Sequence, residues 1–348
     1  MSSQATPAVA SKRDLNSLPG RSPTTSNPFV FPGADIRMLM TYKGKAIIAL
    51  VSSHVLICAS PVWKKFLFPP WVAASVPVNS PKQIDCSEDD GVALLIILNI
   101  IHLRHKEVLL RLEPDTLLQV AVLCDQYDCA GIVKHWISIW MKETEANLVA
   151  KHFVPPQILF VCWVFGLEDN FEALTIKLVM ELRTDDEGIW RSKRGWRIVV
   201  PDTMPEGIME NIHRIRVETI EALLSVPYSA MARFKRTKTV LCQMSHISSD
   251  DSLCDAITLG SITRGLDVSE VEYRTKAIDV HMSVEEVAAA IDDIHVYHVE
   301  PSAARPLVDH SLCHARNFQH EVAKVLRIME SPVELRHRQH MRVQNSKM

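Results

Sequence analysis

Two apolar runs on either side of Lys43-Gly44-Lys45 dominate the first part of the chain. They read DIRMLMTY before this tripeptide and AIIALVS after it. A short connection that contains glycine, placed between two such runs, is typical of a β-hairpin. The pattern therefore predicts two antiparallel strands that begin shortly after Phe29.

The stretch SSHVLICASPVWKKF, directly after these runs, predicts two short helices. Ser52 or Ser53 is placed to cap the first helix, because a serine side chain accepts hydrogen bonds from the first backbone N–H groups. Ser60 followed by Pro61 begins the second, since proline at the first helical position gives up no helical hydrogen bond. Two helices of this length form a hairpin against the strands.

Further elements follow from the apolar pattern of the next sixty residues. Residues 84–86 predict a short strand, and the acidic residues 88–90 suit the positive end of a helix dipole. The run VALLIILNIIHL is apolar on all sides, which predicts a buried central helix. We expect two more helices, at residues 114–126 and 129–141.

Amphipathic helical patterns continue through the second half of the chain. They predict a helical extension at residues 143–240 and a helical region with a flexible end at 241–348. The long pattern at 204–236 predicts one or two helices, with a break expected at Pro227. The first 28 residues are rich in serine, threonine and proline, which predicts a disordered tail at 1–28.

Composition narrows the class of protein. Hydrophobic residues make up 47% of the chain and charged residues 23%, as in a globular protein with a sizeable core. The net charge of −3 gives no global field for nucleic acid or an anionic membrane. The apolar run at 92–103 is too short to span a bilayer, and the N-terminus lacks the apolar core of a signal peptide. We expect an intracellular protein, cytoplasmic or nuclear.

The spacing of the cysteines and histidines indicates whether the chain could form disulfides or bind a metal. The eight cysteines are scattered, which predicts reduced thiols rather than a disulfide framework. His102 and His105 lie three residues apart, and His310 and His314 lie four apart with Cys313 between them. Neither a Cys-x-x-Cys pair nor a His-Glu-x-x-His motif accompanies them. We therefore predict no metal site and no cofactor, with these histidines solvated or capping.

His54 and Cys58 form a candidate nucleophilic pair, four residues apart. No serine, aspartate or glutamate is placed by the sequence to orient the imidazole, and Cys58 faces an apolar run. Core packing is the simpler interpretation, so the sequence predicts no catalytic residue.

Two basic stretches are candidates for nucleic-acid binding or nuclear import. WRSKRGWRIVV at 190–200 interleaves tryptophans with cations, which suits base stacking or a charged loop pinned by two tryptophans. RFKRTK at 233–238 suits a nuclear import signal or the cationic end of a helix. Because acidic residues directly precede the first stretch, we favour the interpretations without nucleic acid.

A set of short motifs occurs in a characteristic order between residues 29 and 142. The motifs are Asp35, His54 with Leu56, Ser60-Pro61-Val62-Trp63, Ile84-Asp85-Cys86, Ile101-His102-Leu103, Leu123-Cys124-Asp125, Tyr127 and Cys129. This series resembles the BTB/POZ domain, in the version found in many filamentous-fungal proteins. The resemblance covers 29–142 and implies an α+β fold, a small sheet with helical hairpins, followed by a mostly α-helical C-terminal region.

The resemblance also implies a class of function. BTB-like domains oligomerise or dock partners, so we expect a non-enzymatic protein–protein interaction module whose helical extension presents a second partner. Its partners are other proteins, including a second copy of this chain. Two alternatives stay open: a substrate adaptor of a cullin-type ubiquitin ligase, and an enzyme with an unrecognised site in the C-terminal helices. In the family, the histidine at the position of His54 starts a helix and packs under the sheet.

One departure from the family concerns Asp35 and Val55. In members that dimerise, a buried acid at the first position faces a basic residue at the second, and here that residue is valine. An unpaired buried carboxylate is costly. Asp35 is therefore expected to be exposed, bonded to backbone, or paired with another base.

A second departure concerns the segment after the second helix. Cullin-recruiting members carry a hydrophobic-x-Glu motif there, but no glutamate lies between Phe66 and Ile84. Cullin binding is therefore not favoured, and apolar side chains are available instead. The residues predicted to bind a partner are Asp35, Val55, Trp63, Phe68, Trp71 and Val72.

Overall fold

The computed structural model describes residues 27–69, 82–151, 156–244, 251–269, 276–298, 309–311 and 313–347, without the side chains of 143–151 and 251. Within this part the chain has a mixed α+β fold, with a three-stranded sheet, a two-stranded ribbon and twelve α-helices. The predicted tail at 1–28 lies outside the described residues up to position 26.

The sheet begins with the predicted hairpin. Strands β1 (Ile36–Tyr42) and β2 (Lys45–Val51) pair antiparallel, and β3 (Gln83–Asp90) lies parallel to β1 on its other side. Lys43 and Gly44 both have positive φ, 49° and 74°, which gives the turn the twist that two paired strands require.

Helices α1 (Ser53–Ala59) and α2 (Pro61–Leu67) form the predicted helical pair after the hairpin. The Ser60 hydroxyl caps α2 by accepting hydrogen bonds from the N–H groups of Val62 and Trp63, and the predicted helix start at Ser60-Pro61 is confirmed. The same hydroxyl donates to the Tyr127 carbonyl at 2.6 Å. The cap of α2 is thereby tied to the end of a helix far along the chain.

Helix α3 (Gly91–Ile101) is the buried centre of this part, as predicted. The Asp90 side chain caps it by accepting from Val92 and Ala93. Its first residue must be glycine, because a Cβ at Gly91 would lie 2.2 Å from the Thr41 carbonyl oxygen of β1. This close approach fixes α3 against the sheet.

The remaining elements are almost all helical. In chain order they are α4 (Pro114–Gln126), α5 (Lys134–Lys151), α6 (Gln157–Val164), α7 (Glu168–Glu181), β4 (Arg183–Thr184), β5 (Trp190–Arg191), α8 (Ile208–Arg236), α9 (Asp251–Val268), α10 (Val284–Asp292), α11 (Gln319–Arg327) and α12 (Leu335–Lys347). The predicted break at Pro227 is wrong, because α8 runs through it as one helix. The predicted helix 129–141 begins as a 3₁₀ turn at Ala130–Val133.

One continuous hydrophobic core joins the sheet to the helices of the second half. Buried side chains of α4 contact those of α6, and the same core extends through α7 and α8 to α10. The predicted boundary near residue 142 therefore does not separate two hydrophobic cores. The N-terminal part and its helical extension stabilise each other.

A buried arginine organises the helices around α8. Arg216 is 1% exposed, and its guanidinium donates to the carbonyls of Leu182, Val280 and Met282 at 3.0, 2.8 and 2.7 Å. Burial lowers the pKa of Arg216 to about 10. One side chain on α8 thus holds both the end of α7 and the segment that leads into α10.

Helix α12 lies on α6 and α7. Its His340 ring stacks on Trp163 of α6, with centroids 3.7 Å apart, and Met341 is fully buried. Arg338 forms ion pairs with Glu168 and Glu172 of α7. The flexible end predicted for the chain is instead a packed helix over residues 335–347.

We expect Arg216→Ala to lower the free energy of unfolding by about 3 kcal/mol or more, because it leaves three carbonyls without their donor and opens a void. Urea denaturation measures the change. Arg214→Ala is the matched control, since this exposed arginine on the same helix pairs with the exposed carboxylates of Glu218 and Glu330. Its loss should change stability by less than about 0.5 kcal/mol. Equal effects of the two substitutions would contradict the role given to Arg216.

The docking of α12 should weaken as the pH falls. Burial lowers the pKa of His340, an effect that the Asp125 carboxylate partly opposes, and hydrogen bonds from Arg342 and Arg338 lower the pKa values of Glu168 and Glu172. Each group binds its proton more weakly when folded. Its stabilisation is therefore present at neutral pH and declines below about 6.5 for histidine and below about 4.5 for glutamate.

Urea denaturation at a series of pH values tests this dependence. His340→Phe keeps a ring on Trp163 but cannot titrate, so the decline in stability between pH 7 and pH 5.5 should become shallower. His320→Phe, at an exposed histidine of α11, should leave the wild-type dependence unchanged. A wild-type curve that is flat over this range would be inconsistent with the proposed linkage.

Candidate partner-binding surface

Asp35 lies at the surface, between the sheet and the start of α1. Its carboxylate accepts hydrogen bonds from the backbone N–H and from the hydroxyl of Ser53, both at 2.6 Å. The Ser53 hydroxyl is the main cause of the lowered pKa of Asp35. The expectation that this acid is exposed and bonded to backbone is confirmed. Asp35 also does the capping that the sequence assigned to Ser52 or Ser53, because Ser52 makes no side-chain cap.

An apolar groove of about 850 Å³ lies beside α1. We call it the α1–α3 groove: its walls are α1, the last turn of α3 with the residues after it, and the start of α5. Its lining includes His54, Val55, Cys58, Ile101, Leu103 and Trp136. Val55, predicted to bind a partner, is thus part of the wall.

The other predicted partner-binding residues have different positions. Trp63 is fully buried, with its ring 4.8 Å from that of Tyr127, so its place in the predicted surface is wrong. The reason is the helical phase of α2, which directs this side chain into the core. Phe68 is exposed, and the Lys82 ammonium lies 3.8 Å from its ring centre. Trp71 and Val72 lie outside the described residues.

Leu103 protrudes at the rim of the α1–α3 groove. Its side chain is 76% exposed, and its φ is +60°, the left-handed region that disfavours an apolar side chain. Exposure of a leucine and a left-handed backbone both cost free energy. Sequence reasoning missed this residue, because nothing in Ile101-His102-Leu103 marks the end of α3 as left-handed.

His54 is exposed and faces the groove, so the expectation that it packs under the sheet is wrong. His102 has the supporting position instead. The backbone N–H of Ser52 donates to its Nε2 at 3.2 Å, its Nδ1 donates to the Leu98 carbonyl at 2.9 Å, and its ring packs on Phe31. Burial lowers the pKa of His102, which favours the neutral ring that these bonds require.

The chemistry of the groove is mostly apolar. Among the described residues, its lining includes the Cys58 thiol and three imidazoles but no carboxylate. A thiol–imidazole pair without a third group to orient it is poorly equipped for nucleophilic catalysis. The same lining is well suited to burying an apolar side chain.

The basic stretch at 190–200 is a charged loop with acidic partners. Arg191 pairs with Asp185 at 2.7 Å, and Lys193 pairs with Glu285 at 2.5 Å. These contacts favour the charged-loop interpretation, because a phosphate would have to compete with two carboxylates for these cations.

The three C-terminal histidine and cysteine candidates occupy two different environments. His310 and Cys313 are buried together with Cys242 and Cys254. His314 contacts Asp255 at 3.3 Å and places its ring against Phe234. The single local signal for this grouping is the His-x-x-Cys spacing, since the other two cysteines are more than fifty residues away in sequence.

Comparison with known proteins leaves the geometry as the basis for assigning function. No protein-family model matches the chain, and no curated protein matches it. Among the described residues, no helix combines the length and the apolar character that crossing a bilayer requires.

Proposed function

We propose that the chain is a non-enzymatic protein–protein interaction module, with a BTB-like part at 29–142 that binds a second copy of itself. The α1–α3 groove is the contact surface in this proposal. The helical remainder presents a second partner. The observation that carries the proposal is Leu103, an exposed leucine in a left-handed conformation beside an apolar groove.

The position of Leu103 costs the chain free energy. A leucine with this φ is strained, and most of its apolar surface faces water. The backbone is compensated locally, because the N–H groups of Leu103 and Arg104 donate to the carbonyls of Ile100 and Asn99 at 3.1 and 2.8 Å and so close the end of α3. The exposed leucine side chain at this cap, beside an apolar groove, is what favours a contact with another molecule, since the cap itself requires no apolar side chain there.

A second copy is the occupant that this arrangement favours. In a two-fold symmetric contact the same patch serves both partners. Leu103 and the groove are adjacent on one face, so the Leu103 of each copy can enter the groove of the other. Val55, which stands where dimerising BTB members have a basic residue, contributes an apolar wall that needs no charged partner.

The two alternative functions have less support. An enzyme with a site in the C-terminal helices would need a catalytic constellation, and the sequence of that region contains no recognisable catalytic motif. A cullin adaptor would need the hydrophobic-x-Glu motif, which this sequence lacks after Phe66.

Light scattering coupled to size-exclusion chromatography tests self-association. The wild-type chain should elute as a dimer, and Leu103→Asp should weaken the dimer by about tenfold or more, because the contact is lost on both copies. Aspartate tolerates a left-handed φ better than leucine does, so the variant should fold. Val268→Asp is the matched control, since Val268 is also 76% exposed but lies on α9.

Two outcomes would contradict this proposal. The first is a wild-type chain that stays monomeric at every concentration. The second is an equal loss of dimer in both variants, which would show that Leu103 has no special position in the contact.

Cullin binding should be absent or weak. A pull-down of cullin by the wild-type chain should recover far less than a parallel pull-down by a BTB adaptor that carries the hydrophobic-x-Glu motif. The physical reason is the missing carboxylate and the exposed Phe68 at the end of α2. Stoichiometric capture that survives washing would show that this motif is the wrong feature to judge by, and would favour the adaptor alternative.

A further inference from the structure

Four buried metal-ligand side chains converge in the C-terminal region, far from the α1–α3 groove in sequence. They are Cys242, Cys254, His310 and Cys313, and their candidate ligand atoms all lie within 4.8 Å of one another. Their three thiols form a buried cluster separate from the main hydrophobic core. Apolar packing alone does not explain why three thiols and an imidazole are buried together outside the main core.

The distances among Cys242, His310 and Cys313 match three ligands of a tetrahedral metal centre, and the Cys254 ligand atom lies within 4.8 Å of each of them. The Cys242 Sγ lies 3.7 Å from the Cys313 Sγ and 3.2 Å from the His310 Nδ1, and the Cys313 Sγ lies 3.7 Å from that nitrogen. With Zn–S bonds of about 2.3 Å and Zn–N bonds of about 2.0 Å, a regular tetrahedron separates two sulfurs by about 3.8 Å and sulfur from nitrogen by about 3.5 Å.

The alternative chemistry for neighbouring thiols is a disulfide, and the geometry does not fit it. A disulfide requires two sulfurs about 2.05 Å apart. The three cysteines are free thiols, and a disulfide between any two of them would leave the third unpaired. A disulfide would also leave His310 without a role in the cluster.

Hydrogen bonds hold the ligand-bearing segments in place. The Asp255 carboxylate, next to Cys254, accepts from the backbone N–H of Leu241, next to Cys242, at 2.7 Å. The backbone N–H of Cys313 donates to the His310 carbonyl at 3.0 Å, which closes the His-x-x-Cys turn. Supporting bonds of this kind orient metal ligands in protein sites.

We propose that Cys242, Cys254, His310 and Cys313 bind one zinc ion. Three thiolates and an imidazole form a borderline-soft tetrahedral set, which suits zinc and does not suit magnesium or calcium. All four positions are filled by protein, and all four residues are buried, so the site is structural rather than catalytic. The ion would tie the segment after α8 to α9 and to the loop before α11.

This proposal replaces the expectation of no metal site, which rested on motif spacing. The spacing gave no signal because zinc ligands need only be adjacent in space. Two of the four come from positions that the fold alone brings to the His-x-x-Cys pair.

Elemental analysis of the full chain after dialysis against metal-free buffer is the first test. We expect about one zinc per chain. His310→Ala and Cys254→Ser should each lose most of the metal, whereas His310→Cys restores a four-thiolate set and should retain it. Cys58→Ser is the control, because this exposed cysteine lies outside the cluster and its loss should leave the zinc content unchanged.

Cobalt substitution of the wild-type chain keeps the test decisive if a variant fails to fold. Tetrahedral coordination by thiolates should give intense visible bands and thiolate-to-cobalt charge transfer in the near ultraviolet. The proposal is overturned if the folded wild-type chain takes up no zinc even from excess, or if Cys254→Ser retains as much zinc as the wild type. Cobalt spectra without thiolate charge transfer would overturn it as well.

Discussion

The buried guanidinium of Arg216 is the constraint on which the helical part of the molecule depends. Taking this cation out of water is costly, and three backbone carbonyls offset the cost by accepting its hydrogen bonds. Those carbonyls belong to the end of α7 and to the segment before α10, so one side chain sets the positions of both relative to α8. Helices α9 and α11 pack on the same helix. The direction of α8 in turn decides where Cys242 lies, six residues beyond its end.

The N-terminal part is held by a different means, which is close backbone approach and continuity of the apolar core. Gly91 permits the start of α3 to touch β1, and Gly166 permits α12 to touch the turn after α6, since a Cβ there would lie 2.4 Å from the Met341 carbonyl oxygen. Helix α6 is packed between α4 and α12. Helix α4, which packs against α3, is therefore held through α6 by contacts from the far end of the chain.

The sequence predicts local structure well where the determinants are local. The Lys43-Gly44 turn, the Ser60-Pro61 cap and the apolar α3 each depend on a few neighbouring residues. Prediction fails where a distant residue decides the outcome. Asp35 displaces serine as the partner of the first α1 N–H group, the tertiary contacts of α8 carry the helix through Pro227, and the phase of α2 buries Trp63. The Cys242 cluster is the extreme case, because its ligands meet only after the helices have packed.

The two sites inferred for this chain share a physical feature. At each site a residue departs from the preference for its position. Leu103 is an exposed leucine at a left-handed helix end, where glycine is the usual residue. The thiols and the imidazole of the cluster are polarisable groups that are buried together outside the main hydrophobic core. Elsewhere, local preference and packing agree, as they do at the caps of α2 and α3. Departures of this kind are expected at functional sites, and this is why the two proposals, a second copy at the groove and a zinc ion at the cluster, are placed there. An apolar side chain would suit the lining of the groove, and a divalent cation would suit the four ligands of the cluster.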